Sequence, residues 1–200
     1  MSPGSPAWRY LAGQRRLPED VLAAADAADA VREGPHGSAW FAHQNAVGDV
    51  TGIEMRGAAW RGFSVGGVKT LFRLPGGSGP LPRVAVCEAA IDALSLAAIE
   101  QLRHDTLYAA TAGGMGPATI DALRQLLHGL SLDPTGLLIA ATDADAVGRR
   151  YAARLAGLAI EAGVRFDKIL PPDGLNDWND VLCADVAGVI ADRAQPRLDA

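Results

Sequence analysis

Two aspartates one residue apart, Asp143 and Asp145, end an apolar run in "LLIAATDADAVGRR", and Glu88 ends another in "RVAVCEAAIDALSL". Both runs have the composition of buried strands, and a helical pattern follows each. Ligands of open parallel sheets bind at the carboxyl ends of the strands, so neighbouring strands would bring these three carboxylates to one crevice. Asp92, one helical turn after Glu88, would face the same crevice. Carboxylates held together repel and are costly to desolvate, so such a group calls for a counter-charge. Oxygen ligands without His or Cys select a hard cation, Mg²⁺ or Mn²⁺. That cation on one or two carboxylates, with water and substrate phosphate, is the recurrent arrangement for phosphoryl transfer. A structural role competes for each residue. A helix N-cap suffices to explain one aspartate of the pair, and an exposed helix position explains Asp92 equally well. Glu88 is the hardest to dismiss, because Glu is a mediocre cap.

A second acidic group lies in "LPPDGLNDWNDVL", with Asp173, Asn176, Asp177, Asn179 and Asp180. Asp177 either supplies a second metal position in the same crevice or, like Asn176, caps a short helix. "TAGGMG", Thr111 to Gly116, follows an apolar strand, where glycines let backbone approach a ligand and a helix N-terminus favours an anion. The same glycines also suit an ordinary strand–helix turn. Cys87 and Cys183 are too few and too distant for a zinc site and read as buried structural thiols. His36, His43, His104 and His128 are scattered, with no metal-ligand spacing.

These residues need elements to place them. "LPGGSGPLPR", Leu74 to Arg83, holds three glycines and three prolines and divides the chain into residues 1–80 and 81–200. The second part alternates apolar strands ("RVAVCE", "TLYAAT", "GLLIAAT", "FDKIL") with helical patterns, the last two short ones around "LNDWNDVL" and "DVAGVIADR". That alternation predicts an α/β fold, a parallel sheet with helices on both faces and right-handed crossovers. The first part predicts a small α+β segment, with a helix over "PEDVLAAADAADAVRE" stopped by Gly34-Pro35. The strands "SAWFAHQ", "VTGIEMRG" and "KTLFRL" follow it. This piece is expected to pack on the following domain rather than fold alone.

Of 200 residues, 49% are hydrophobic and 20% charged, which suits a globular chain with a real core. The net charge of −5 is unevenly spread. Residues 1–83 carry nine Lys/Arg against seven Asp/Glu, and residues 84–200 carry nine against sixteen. No acidic residue lies between Glu54 and Glu88, while Arg56, Arg61, Lys69, Arg73 and Arg83 all do. An acidic site beside a basic strip fits metal-dependent chemistry on a phosphate polyanion. The N-terminus lacks the apolar core of a signal peptide, and no apolar run has the length of a membrane helix, so a cytoplasmic location and no membrane partner are expected.

Glu at the end of one strand, a Gly-rich turn after the next and Asp-x-Asp after the third resemble the Toprim domain. That domain is shared by bacterial primases, topoisomerases, OLD-type nucleases and RecR-type recombination proteins. Here "VAVCEAAIDALSL", "ATAGGMG" and "ATDADAVGRR" carry the pattern in order. The primase-type branch is the most similar, including Toprim-like domains of plasmid and mobile-element proteins. Glu88 is followed four residues later by Asp92, and "GLNDWNDVL" resembles a primase segment with two further metal-associated acidic positions, with Asn179 in place of one. "VTGIEMRGAAWRGFSVGGVKTLFRLPG" resembles the small basic subdomain preceding Toprim in primases, with Arg56 and Lys69 the best matches. The chain departs from primases in lacking the Cys/His set of a zinc ribbon and in Ala89 where glycine often follows the glutamate, and no helicase segment is expected after residue 200.

The resemblance implies a Toprim-like Rossmannoid domain over 81–200 preceded by a primase-core-like basic segment over 1–80. It implies Mg²⁺ (or Mn²⁺)-dependent nucleotidyl transfer, primase-like, in replication or transfer of DNA. Glu88, Asp143 and Asp145 would be catalytic, and metal would be held by these with Asp92 and Asp177. Arg56, Lys69 and Arg149 would hold template or triphosphate. The implied partners are single-stranded DNA, nucleoside triphosphates and a helicase or relaxase. Two other functions stand beside it: a metal-dependent nuclease that uses the same carboxylates with water as nucleophile, and a non-catalytic DNA-binding accessory protein of a mobile element with a degenerate site. The three tyrosines offer no topoisomerase-like tyrosine domain.

Overall fold

Arg83–Cys87 (β6) is buried at every position, with Val84 and Val86 in one hydrophobic core and Ala85 and Cys87 in another. A strand apolar on both faces must be covered on both, and this one organises the layers around it. The computed structural model describes residues 1–185. The helix expected around "DVAGVIADR" begins at the last of these, and its remainder lies outside the described residues.

Among the described residues, nine strands form one sheet: β1 (Val31–Glu33), β2 (Ala39–Gln44), β3 (Val50–Arg56), β4 (Arg61–Phe63), β5 (Leu71–Pro75), β6, β7 (Thr106–Ala110), β8 (Leu137–Ala140) and β9 (Arg165–Lys168). The order is β4-β3-β2-β5-β7-β6-β8-β9, with β1 on β2. β7, β6, β8 and β9 are parallel neighbours, which is the α/β core expected from the alternating pattern. β5 then joins β7 antiparallel and carries the sheet into the antiparallel strands β2, β3 and β4. The basic N-terminal segment and the parallel core therefore share one hydrogen-bonded sheet.

The helices are α1 (Pro6–Trp8), α2 (Glu19–Ala27), α3 (Ala90–Ile99), α4 (Pro117–Ser131), α5 (Ala146–Ala162) and α6 (Trp178–Asp185). α2, α3 and α6 cover one face and α4 and α5 the other. The loops leaving β6 and β8 thus run to opposite faces, and a crevice opens between their carboxyl ends.

Two local expectations need correction, and one element was not expected. The helix expected over 18–33 ends at Ala27: Asp29 takes φ 54°, and Val31–Glu33 pairs with Ala39–Phe41 as an edge strand. Burial of Val31 in the sheet outweighs the helical propensity of its alanine-rich neighbours. A helical stretch over residues 6–14, its second half π-helical, buries Ala7, Tyr10 and Leu11, and the sequence pattern gave no sign of it. Cys87 is buried as expected, but Cys183 is exposed, because α6 turns Trp178, Val181 and Leu182 inward.

The Gly/Pro-rich stretch after β5 is held where it begins. The Gly76 amide donates to the Thr106 carbonyl at 2.8 Å, and a Cβ on Gly76 would stand 2.2 Å from the Arg103 carbonyl oxygen. Gly79, three residues on, has nothing within 4 Å of such a Cβ. Gly76→Ala should therefore lower unfolding stability by about 2 kcal/mol, since backbone cannot give way as a flexible side chain does. Gly79→Ala should change it by less than about 0.5 kcal/mol. Urea midpoints at unchanged m-value measure both.

Candidate active site: a carboxylate crevice beside a basic cavity

β6 and β8 are adjacent and parallel, so Glu88 and Asp143 leave the sheet side by side. The Asp143 amide donates to Glu88 Oε1 at 3.4 Å, and the Glu88 carbonyl accepts from the Gly113 amide at 2.8 Å. The turn after β7 is thereby tied to the end of β6. It needs left-handed backbone at Ala112 (φ 53°) and Gly113 (φ 66°), which Gly adopts freely and Ala only at a cost.

Glu88, Asp92, Asp143 and Asp177 line one cavity of about 280 Å³, together with Arg15, Arg56, Arg61 and Asn179. Each carboxyl group is held above its ordinary range. For Glu88 burial is the main cause; the Asp143 amide opposes it and the Asp145 charge adds to it. Asp92 is 7% exposed and lies well above the usual range, through burial and then through the charges of Asp177 and Asp143. Asp143 is pushed up to about 7 by burial, then by Glu88, Asp177 and Asp145. Burial also raises Asp177, against the opposing effect of the Asp180 amide. Buried Asp143 Oδ1 has no hydrogen-bond partner among the described residues.

These observations fit a hard divalent cation: oxygen donors only, raised carboxyl groups and one buried oxygen left over. Among the described residues, no three acidic, histidine or cysteine side chains are already drawn around a single point. That suits a metal taking one or two carboxylates directly and completing its shell with water and substrate oxygen.

Asp145 is the N-cap of α5 and is not among the residues lining this cavity. Oδ1 caps α5, accepting from Val147 and Gly148 amides at 2.7 Å each, and Oδ2 makes no such bond. Gly148 is required by space, since a Cβ there would stand 2.1 Å from the Asp143 carbonyl oxygen. Asp177 likewise caps α6 through Oδ1 to the Asp180 amide at 2.7 Å while facing the crevice. Asp92 is not at an exposed helix position, because α6 packs over it and the Asn179 amide donates to its Oδ1 at 3.3 Å. Asn179 is itself buried and satisfied. Its Nδ2 donates to the Arg15 carbonyl at 2.8 Å and to Ser95 Oγ at 3.0 Å, and Arg15 Nη1 donates to its Oδ1 at 3.3 Å.

A second cavity, of about 340 Å³, adjoins the first along Arg56, Arg61 and Gly113 and extends to Lys69 and Phe63. Arg56 is aimed by Glu54, whose Oε1 accepts from Nε at 2.8 Å and Nη2 at 2.7 Å. Glu54 is 2% exposed, and its Oε2 accepts from the Ala90 amide at 3.2 Å, two residues from Glu88. Burial works against the Glu54 charge, but His43, Arg56 and the Ala90 amide outweigh it and hold the group below its ordinary range. His43 Nε2 lies 3.8 Å from Glu54, so a scattered histidine turns out to back this clamp. Lys69 Nζ donates to the Ala112 carbonyl at 2.9 Å. Arg149 lines neither cavity; its guanidinium donates to the Ala144 carbonyl at 3.4 Å.

Two arginines at the crevice were not singled out from the sequence. Arg15 directly follows the helical stretch that gave no pattern, and its Nε donates to Tyr10 Oη at 3.0 Å. Arg61 had a legible signal: it lies in the acid-free stretch, and a hairpin there sets it opposite Arg56.

Solved structures share this arrangement of a parallel α/β sheet with acidic strand ends and an antiparallel, basic extension. The E. coli primase catalytic core matches with TM-score 0.56 at 16% identity, over 96% of this chain and 73% of that one. The RNA polymerase domain of Mycobacterium tuberculosis primase DnaG matches with TM-score 0.55 at 18% identity, over 94% and 75%. The primase fragment of the bacteriophage T7 primase-helicase protein matches with TM-score 0.55 at 14% identity, over 91% and 72%. No curated protein matches the chain in sequence. Residues 85–182 match the Toprim-like family and residues 9–78 a family described as "Protein of unknown function (DUF3991)". Residues 85–182 of this chain form a Toprim-like domain.

The raised carboxyl groups fix a pH dependence. A carboxyl whose folded pKa exceeds its unfolded value binds more protons when folded, so stability falls as pH rises between the two. For Asp143 that window runs from about 4, the ordinary Asp value, to about 7. Without divalent metal, thermal midpoints should fall from pH 4 to pH 7. Asp143→Asn should flatten the fall and stabilise the metal-free protein at pH 8 by about 1 kcal/mol, allowing for solvent screening at a half-exposed group. Calorimetry across pH in EDTA measures both.

Proposed function

We propose that this chain is a primase-like, divalent-metal-dependent nucleotidyltransferase acting on single-stranded DNA with nucleoside triphosphates. The observation that carries the reading is the continuity of the carboxylate crevice with the cavity of Arg56, Arg61 and Lys69. One end suits a metal and the other a polyanion, and the two share walls. The family and fold support it: one of the similar structures is a DnaG primase catalytic domain bound to single-stranded DNA, at 16% identity and TM-score 0.56.

In this reading Glu88, Asp143 and the free oxygen of Asp145 hold Mg²⁺ or Mn²⁺, and Asp92 and Asp177 mark a second position. The bound cation supplies Lewis acidity, lowering the pKa of an attacking 3′-hydroxyl and neutralising charge on phosphate oxygens. Arg56, fixed by Glu54, and Lys69 orient the template or the triphosphate so that the hydroxyl meets the α-phosphorus and pyrophosphate leaves. Arg61 adds positive charge where the two cavities meet. Arg149, on the first turn of α5, contributes to the outer approach of the strand. Residues 1–80 act as the basic segment and 81–200 as the catalytic domain. The protein works in the cytoplasm, in replication or transfer of mobile-element DNA beside a helicase or relaxase. Among the described residues no helix is long and apolar enough to cross a membrane.

The test supplies single-stranded DNA, labelled nucleoside triphosphates and Mg²⁺ or Mn²⁺, in parallel with labelled DNA alone. New oligonucleotides are expected, and Asp143→Asn with Asp145→Asn should reduce them by at least about 100-fold. Glu54→Gln should weaken triphosphate use while leaving Mn²⁺ binding intact, because it releases Arg56 and touches no metal position. Shortened DNA in place of new strands would make the protein a nuclease on the same carboxylates. Binding with neither product would make it an accessory protein.

A further inference from the structure

The turn between β3 and β4 holds an aromatic residue that the carboxylate chemistry does not use. Trp60 is 47% exposed, a large share for a side chain that is highly buried on average. Its backbone is fixed, since the Trp60 carbonyl accepts from the Gly57 amide at 2.9 Å and closes the turn. Its ring lies against two glycines. A Cβ on Gly57 would stand 3.0 Å from Trp60 Nε1, and one on Gly62 would stand 3.4 Å from Cζ3. The indole is thus supported from beneath by backbone and open to solvent elsewhere.

The surroundings are cationic. Arg56 and Arg61 stand directly opposite each other across β3 and β4, an arrangement that destabilises a sheet unless an anion offsets it. Glu54 offsets Arg56, whereas Arg61 is exposed on the wall of both cavities and forms no ion pair among the described residues. Beyond them lie Phe63 and Lys69, with Nζ 5.5 Å from the Phe63 ring centroid. No acidic residue follows until Glu88. An open indole in a cationic strip matches the way single strands are held without sequence readout, bases on aromatic faces and phosphates on basic side chains.

We propose that the β3–β4 hairpin is a stacking platform for single-stranded nucleic acid: Trp60 takes the face of an unpaired base, and Arg61 takes a neighbouring phosphate. The inference rests on the nucleic-acid reading above and deepens it, placing the incoming strand at the basic end of the trough that leads to Glu88 and Asp143. A protein partner on the same aromatic surface would need no base and no salt dependence of this kind.

The test is binding alone, with the full chain in Ca²⁺ and no nucleoside triphosphate. A short fluorescein-labelled deoxyoligonucleotide and its abasic counterpart are titrated by anisotropy over a salt series. Trp60→Ala should weaken binding to the ordinary strand about tenfold and leave the salt slope unchanged, and Trp60→Phe should stay within about threefold of the parent. On the abasic strand the parent and Trp60→Ala should bind alike. Arg61→Ala should lower the salt slope by about one. Circular dichroism melts confirm that each variant is folded. Equal binding of parent and Trp60→Ala to the ordinary strand overturns the platform while leaving the nucleic-acid reading in place. The same parent–variant gap on the abasic strand does so too. A parent protein that binds neither strand overturns both.

Discussion

Four carboxyl groups at the edge of a low-dielectric core repel one another, and most of the site can be understood as a response to that repulsion. Glu88, Asp92, Asp143 and Asp177 lie along one crevice, each protonated more readily than it would be in water. Bringing them together opposes folding. What holds them is backbone: parallel pairing of β6 with β8, the caps of α5 and α6, and Gly148, whose missing side chain lets α5 seat on the Asp143 carbonyl. Strain concentrated where a ligand would relieve it is the usual signature of a functional site.

The basic half is built on a different principle. Its charges are placed singly, on strands, and aimed by partners. Glu54 is the pivot, buried between the Arg56 guanidinium on β3 and the Ala90 amide at the start of α3. One carboxylate joins the antiparallel extension to the residues following Glu88, so the two halves of the trough cannot be displaced independently. Because β5 pairs with both β2 and β7, the sheet enforces the same registration from below.

The parallel core and the positions of Glu88, Asp143 and Asp145 were legible in the sequence, because buried parallel strands are near-continuous apolar runs and their ends are where function collects. Asp92 was not legible as a buried residue. Its burial depends on α6 docking across α3, and helical periodicity does not report such a long-range contact. Arg15 was hidden for the same reason, since residues 6–14 form a partly π-helical stretch without an amphipathic repeat. Val31–Glu33 misled in the opposite direction: alanine-rich local preference pointed to helix, and pairing with β2 decided otherwise. The asparagine at 179, which looked like a lost ligand, is a hydrogen-bond hub joining α6, α3 and the N-terminal segment.

That hub constrains how the chain can change over time. An aspartate at 179 would add a carboxylate beside Asp92, yet it could donate to neither the Arg15 carbonyl nor Ser95 Oγ, which accept from the amide hydrogens of Asn179. The substitution would bury a further negative charge and leave the Arg15 carbonyl to the weak Cys183 thiol donor, 3.9 Å away, in one step. Neither change at Arg15 nor change at Ser95 alone removes both costs. A more acidic crevice therefore calls for compensating change in the N-terminal segment and in α3, not at position 179 alone.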